Sequence, residues 1–233
     1  MTSDASQSLS LWRCRGRGRC RAAFALTLLL PLGFTSLHAN PLSVLQLEPP
    51  QQPFLDQFVA AAVERTHHTV HYDPAYVRIP YPGGDVPAST GVCTDEIIRA
   101  YRAVGIDLQK EVHEDMANHL SAYPRKWSRA SHAAITTTDP NIDHRRVPNL
   151  MVFFSRHGQT LSLSADAREY RPGDLVTWNL GGGITHIGIV VDQKSPQSGR
   201  YLIVHNIGQG PQMEDVLFNW KIIGHYRYLG STR

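Results

Sequence analysis

Apolar positions recur at helical spacing in four stretches of the chain. From Phe54 to Arg65, the residues Leu55, Phe58, Val59 and Ala62 fall on one face, which predicts an amphipathic helix. The same spacing returns directly after Cys93, in Ile97, Ile98, Tyr101 and Val104, with Gly105 as the stop. Two further helices are predicted over Leu108–Leu120 and Val147–Arg156. Between the first two, the stretch YDPAYVRIPYPGGDVPAST is rich in Tyr, Pro and Gly; that composition argues for an extended, turning segment. The last third is different. RPGDLVTW, HIGIVVD and RYLIVHNIG are apolar, β-rich runs separated by a glycine turn, Gly181 to Gly183, and by a polar loop from Gln193 to Gly199. Helices followed by an antiparallel sheet make an α+β fold.

The beginning of the chain stands apart from this pattern. Arginines occupy positions 13, 15, 17, 19 and 21, and an uncharged apolar run follows from Ala22 to Leu37, closing at His38-Ala39. This is the pattern of a secretory signal with cleavage after Ala39, and the run is short for a membrane-spanning helix. An uncleaved anchor is the alternative. Residues 1–39 are thus expected to be a signal, 40–53 a flexible Pro- and Gln-rich lead, and 54–233 a single domain in the periplasm or outside the cell.

That reading changes the charge. The chain carries a formal charge of +3, but residues 1–39 hold five of its 23 basic and one of its 20 acidic residues, so the remainder is close to neutral. Nucleic-acid binding needs a concentrated basic surface and is not expected. Nor is a membrane partner, once the signal is cleaved.

Two of the three cysteines, Cys14 and Cys20, lie in the signal region. An exported chain keeps only Cys93, and an unpaired thiol in an oxidising compartment is either reactive or a small buried apolar group. Its position favours chemistry. Cys93 stands where the glycine-containing loop ends and a helix begins, so helix dipole and free amides near Val92 and Cys93 face the sulfur and could hold an oxyanion. Asp95 and Glu96 in the same first turn would oppose a thiolate, which makes a nearby imidazolium necessary. His186 opens the HIGIVVD strand and, at a sheet edge, could serve as base. His205 and Asn206 on the next strand are candidates to orient it; being adjacent, they point to opposite faces, and only one can serve.

This order of residues resembles the NlpC-type branch of papain-like cysteine peptidases: a glycine-bearing loop, Cys at a helix start, Gly-Asp-Leu-Val, then His-Ile-Gly-Ile-Val and a polar residue one strand later. Those enzymes show Tyr-x-x-Gly-Gly before an Asp-Cys-Ser-Gly motif; Tyr81, Gly83, Gly84 and Cys93 stand similarly here, with two departures, Val-Cys-Thr-Asp at the cysteine and one residue instead of two between Tyr81 and the glycines. The resemblance implies a papain-like fold and a Cys93, His186, His205 trio cleaving amide bonds, with Tyr81 near the thiol. GVCTD, NIDHRRVPNL, PGDLVTW, HIGIVV, VHNIG and GHYRY also resemble a narrower bacterial group, the YijF-like proteins of unknown function, from Tyr72 to Tyr228.

In NIDHRRVPNL, the residues Asp143, His144, Arg145 and Arg146 are either a solvated or ion-paired run or a site for a substrate carboxylate, as in cell-wall peptides. No close-spaced metal-ligand pair and no phosphate loop is present, so no cofactor is expected; a Cys93, His186, His205 zinc set is the rival catalytic reading. The rival from another class is a non-catalytic envelope-binding module of the same fold.

Overall fold

The computed structural model describes residues 51–126 and 135–230, in which four helices of the N-terminal half pack on a six-stranded antiparallel sheet. The expected signal segment, with Cys14 and Cys20, lies outside the described residues. Among those residues no helix is long and apolar enough to cross a membrane.

Helix α1 (Gln51–Arg65) begins within the expected lead and buries Leu55, Phe58, Val59 and Ala62. The segment after it carries two short strands, β1 (His71–Tyr72) and β2 (Thr90–Gly91), paired in parallel so that Tyr72 lies opposite Gly91. Helix α2 (Cys93–Ala103) follows at once, and every residue from Cys93 to Tyr101 is buried. Its first turn is fixed by Asp95, whose Oδ2 accepts the Val92 N–H at 2.7 Å. Its end is fixed by Gly105, which takes φ +83° where a side chain would be strained.

Asp107 caps α3 (Leu108–His119) by accepting from the Gln109 and Lys110 amides. Pro148, in the first turn of α4 (Val147–His157), lacks only an N–H that the helix start would leave unused. α1, α2 and α4 bury their apolar stripes against one face of the sheet, and α3 packs on α2 and α4 beside them.

That sheet runs β3-β8-β4-β5-β6-β7. Strands β4 (Leu175–Gly181), β5 (Ile184–Lys194) and β6 (Tyr201–Asn206) were legible in the sequence; β3 (Gln159–Thr160), β7 (Pro211–Glu214) and β8 (Lys221–Arg227) were not. Alternation along the strands divides the core in two. Leu175, Ile187, Ile189, Val191, Val204 and Tyr226 meet the helices. Val176, Trp178, Val190 and Ile203 form a second cluster with Tyr170, Val216 and Leu217 on the other face.

Candidate functional site

Cys93 begins α2 with its sulfur beside three backbone amides, its own, that of Thr94 and that of Ile187 on β5. Burial pushes the thiol up to about 12; the Ile187 amide works against that shift, and Asp95 adds to it. The charge on Asp95 is nevertheless well held. Arg145 donates from Nε to Oδ1 at 2.8 Å and from Nη2 to Oδ2 at 2.9 Å, a two-point pair with both side chains buried. Glu96 is likewise buried and accepts from Arg65 Nε at 2.8 Å. The two carboxylates that seemed to oppose the thiol are therefore paired, and they hold the helix start in place.

One expected oxyanion donor is committed elsewhere, because the Val92 amide is given to Asp95. The amides that face the sulfur are those of Cys93 and Thr94, inside the first turn, and of Ile187 across from it.

His186 is the third residue of β5, opposite Trp178 of β4. It was expected at a sheet edge, but β5 is an interior strand between β4 and β6, and the imidazole is buried. Its ring lies 5.8 Å from Trp178 and 6.0 Å from Trp220, centroid to centroid. His186 Nε2 and His205 Nδ1 share a hydrogen bond of 2.9 Å, and His205 Nε2 bonds Glu214 Oε2 at 2.9 Å. Gly188 makes this possible: a Cβ there would stand 2.6 Å from Ile203 Cγ2 and 3.2 Å from His205 Cβ. Burial, then the facing His205, pushes the His186 imidazole down to about 3. His205 is also lowered by burial, against the pull of Glu214.

Alternation decides between the two orienting candidates. His205 shares the Ile203 face with His186, whereas Asn206 shares the Val204 face, and its Oδ1 accepts the Gly208 amide. Glu214 escaped sequence reasoning altogether. It lies on edge strand β7, in register with Ile203, two residues along from the partner of His205; without β7 nothing in the sequence pointed to it.

Sulfur and imidazole meet β5 at consecutive residues, the thiol at the Ile187 amide and the ring on His186. They approach from different sides. Cys93 belongs to the helix-side cluster with Ile187, while His186 lies with Trp178 on the other face. Among the described residues no hydrogen bond joins the Cys93 thiol to His186, and the second ring nitrogen, Nδ1, is the one that His205 leaves unused.

Tyr81 is not near the thiol. Its exposed hydroxyl donates to Glu114 at 3.3 Å, and its ring meets His113 edge-on. The tyrosine placed beside Cys93 is Tyr72, whose hydroxyl is raised to about 12 by burial, then by Cys93 and Asp95. The charged run in NIDHRRVPNL is largely buried. Asp143 bonds His113 Nδ1 at 2.9 Å and accepts the Asp139 amide. Arg145 is spent on Asp95 and the Ala75 carbonyl, so it is not open to a substrate carboxylate. His144 is held neutral, pushed down to about 3 by burial and then by Arg145. Arg146 lines a small cavity with Pro124, Ile142, Pro148 and Asn149.

Zinc has no ready seat here. Among the described residues no three His, Cys, Asp or Glu side chains are grouped to hold a metal ion, and His186 and His205 turn facing nitrogens on each other.

Residues 59–228 match the domain of unknown function DUF1287. The chain is also 53% identical over 160 residues to the uncharacterised protein YijF of Escherichia coli (strain K12), a stretch covering 69% of this chain and 75% of that protein. The chain thus belongs to the DUF1287 family and is a relative of YijF, as the resemblance of its motifs implied.

Proposed function

We propose that this protein is a papain-like thiol hydrolase, exported to the periplasm, that cleaves an amide bond, with cell-wall peptides as the substrate class. One observation carries the reading. The hydrogen-bonded order Glu214, His205 Nε2, His205 Nδ1, His186 Nε2 leads to the ring next in sequence to Ile187, the strand residue whose amide faces Cys93 at a helix N-terminus.

In this mechanism Cys93 Sγ attacks the carbonyl carbon as its proton passes to His186 Nδ1. Amides of Cys93, Thr94 and Ile187 face the sulfur and are the donors available to the oxyanion that its attack creates. The imidazolium then protonates the leaving amine as the C–N bond breaks, and water, deprotonated by His186, hydrolyses the thioester. Burial keeps both reacting groups neutral at rest, the thiol high and the imidazole low. The proton therefore moves with the attack instead of before it, and substrate binding must bring sulfur and Nδ1 within hydrogen-bond reach.

Burial also favours a second reading. Cys93 is 5% and His186 2% exposed, as expected of a binding module that keeps the fold without turnover. Digestion of purified sacculi separates the two. Wild-type protein is expected to release peptide fragments identifiable by mass, and Cys93→Ala protein to release none while still binding. Equal release by both, or equal binding with release by neither, rules out the hydrolase.

A further inference from the structure

The geometry points to Glu214 as the residue that sets which nitrogen of His186 is free to take a proton, a positioning role two hydrogen bonds away from the reacting atoms. This rests on the hydrolase reading for its use, but not for its test.

A carboxylate oxygen only accepts, so the 2.9 Å contact between Glu214 Oε2 and His205 Nε2 requires the hydrogen on Nε2. Burial lowers His205, which holds the ring neutral near pH 7. A neutral imidazole carries one N–H, so His205 Nδ1 is then a bare acceptor. Its partner at 2.9 Å, His186 Nε2, must donate. His186 is also neutral, being pushed down to about 3, so its only hydrogen sits on Nε2. The lone pair of Nδ1 is left free.

Each step removes one alternative, and the starting point is a residue on a different strand. Had position 214 carried a donor, every hydrogen in the relay would reverse, and Nδ1 of His186 would be protonated and useless as a base. The surroundings offer no competing instruction. Trp178 and Trp220 present rings to the pair, and the Trp178 indole N–H is already given to the Leu217 carbonyl. The other titratable groups close by, Cys93 with Tyr72 and Asp95 behind it, lie around the helix start. Glu214 is exposed on an edge strand and no part of the buried core, so its carboxylate is not needed to complete the fold.

Nitrogen-15 NMR of histidine-labelled full-length protein at neutral pH tests this directly, because ring shifts distinguish a protonated from a bare nitrogen. In wild-type protein His186 and His205 should each show a bare Nδ1 and a protonated Nε2. Glu214→Gln, whose amide oxygen can still accept, should keep that pattern. Glu214→Ala should lose it and give mixed tautomers at both rings. A protonated Nδ1 on His186 in the wild type, or unchanged shifts in Glu214→Ala, overturns the inference. Neither readout involves turnover, so inactive protein with the expected tautomers would sink the hydrolase reading alone.

Discussion

Two buried histidines on the same face of the same sheet are treated very differently. His225, on β8, is satisfied at both ring nitrogens, Nδ1 meeting the Ser162 carbonyl at 2.8 Å and Nε2 meeting Asp174 Oδ2 at 2.9 Å. Asp174 also accepts from Arg227 Nε at 2.8 Å and from the Arg171 amide, and Tyr170 stacks on the ring at 4.3 Å. His186, toward the far end of β4 and β5, has one nitrogen engaged by another histidine and the second uncommitted, beside a strand position whose amide faces a thiol. Under the proposed mechanism it is unspent hydrogen-bonding capacity beside a thiol, and not burial alone, that distinguishes the two rings.

The strongest way to break this comparison is to remove the centre of the saturated cluster. Asp174→Ala strands Arg227 and His225 without their acceptor in a dry interior, and urea unfolding should show a loss of about 3–5 kcal/mol. His186→Leu, by contrast, breaks one hydrogen bond and leaves the buried His205 Nδ1 without its donor; it should cost about 1–3 kcal/mol, less than Asp174→Ala, while abolishing turnover. Similar losses in the two variants would mean that His186 is as structural as His225.

A smaller effect sharpens the same point through pH. The folded chain holds His186 and His144 neutral down to about 3, whereas the unfolded chain takes up those protons near the ordinary histidine value of about 6.5. The unfolded state thus binds more protons between these values. Stability is complete above about pH 6.5 and should decline as pH falls, by up to about 1.4 kcal/mol per unit for each ring. Urea titrations from pH 7 to 4 should give a shallower slope in His186→Leu, the remainder belonging to His144, His205 and the carboxylates held low, Asp115 and Asp139 among them. An unchanged slope would show that His186 is not held neutral.

Much of the fold was readable because its helices bury regular stripes. Leu55, Phe58, Val59 and Ala62, like Ile97, Ile98 and Tyr101, are buried as their spacing required. The later strands were not readable. β7 is a four-residue edge, PQME, with no apolar alternation, and β8, KIIGHYR, is broken by glycine and histidine and inserts between β3 and β4, a placement that local pattern does not encode.

The site divides in the same way. Strand alternation allowed only one of His205 and Asn206 to serve, the family resemblance favoured His205, and the structure pairs His205 with His186. Glu214 depended on β7 and was missed. Tyr81 and Tyr72 sit in one aperiodic segment, where sequence gives no direction to a side chain, and the structure sets Tyr72 rather than Tyr81 near Cys93. The run Asp143 to Arg146 reads as surface by charge, yet its partners Asp95 and His113 come from α2 and α3 and draw it inside.

The central claim is that Cys93 is a nucleophile served by His186. A peptidyl vinyl sulfone, incubated with wild-type and His186→Ala protein and followed by intact mass and peptide mapping, tests it most directly. One adduct on Cys93 is expected in the wild type, forming about 10²–10⁴-fold faster than in His186→Ala. Equal rates in the two proteins, or no adduct on folded wild-type protein, would contradict the claim.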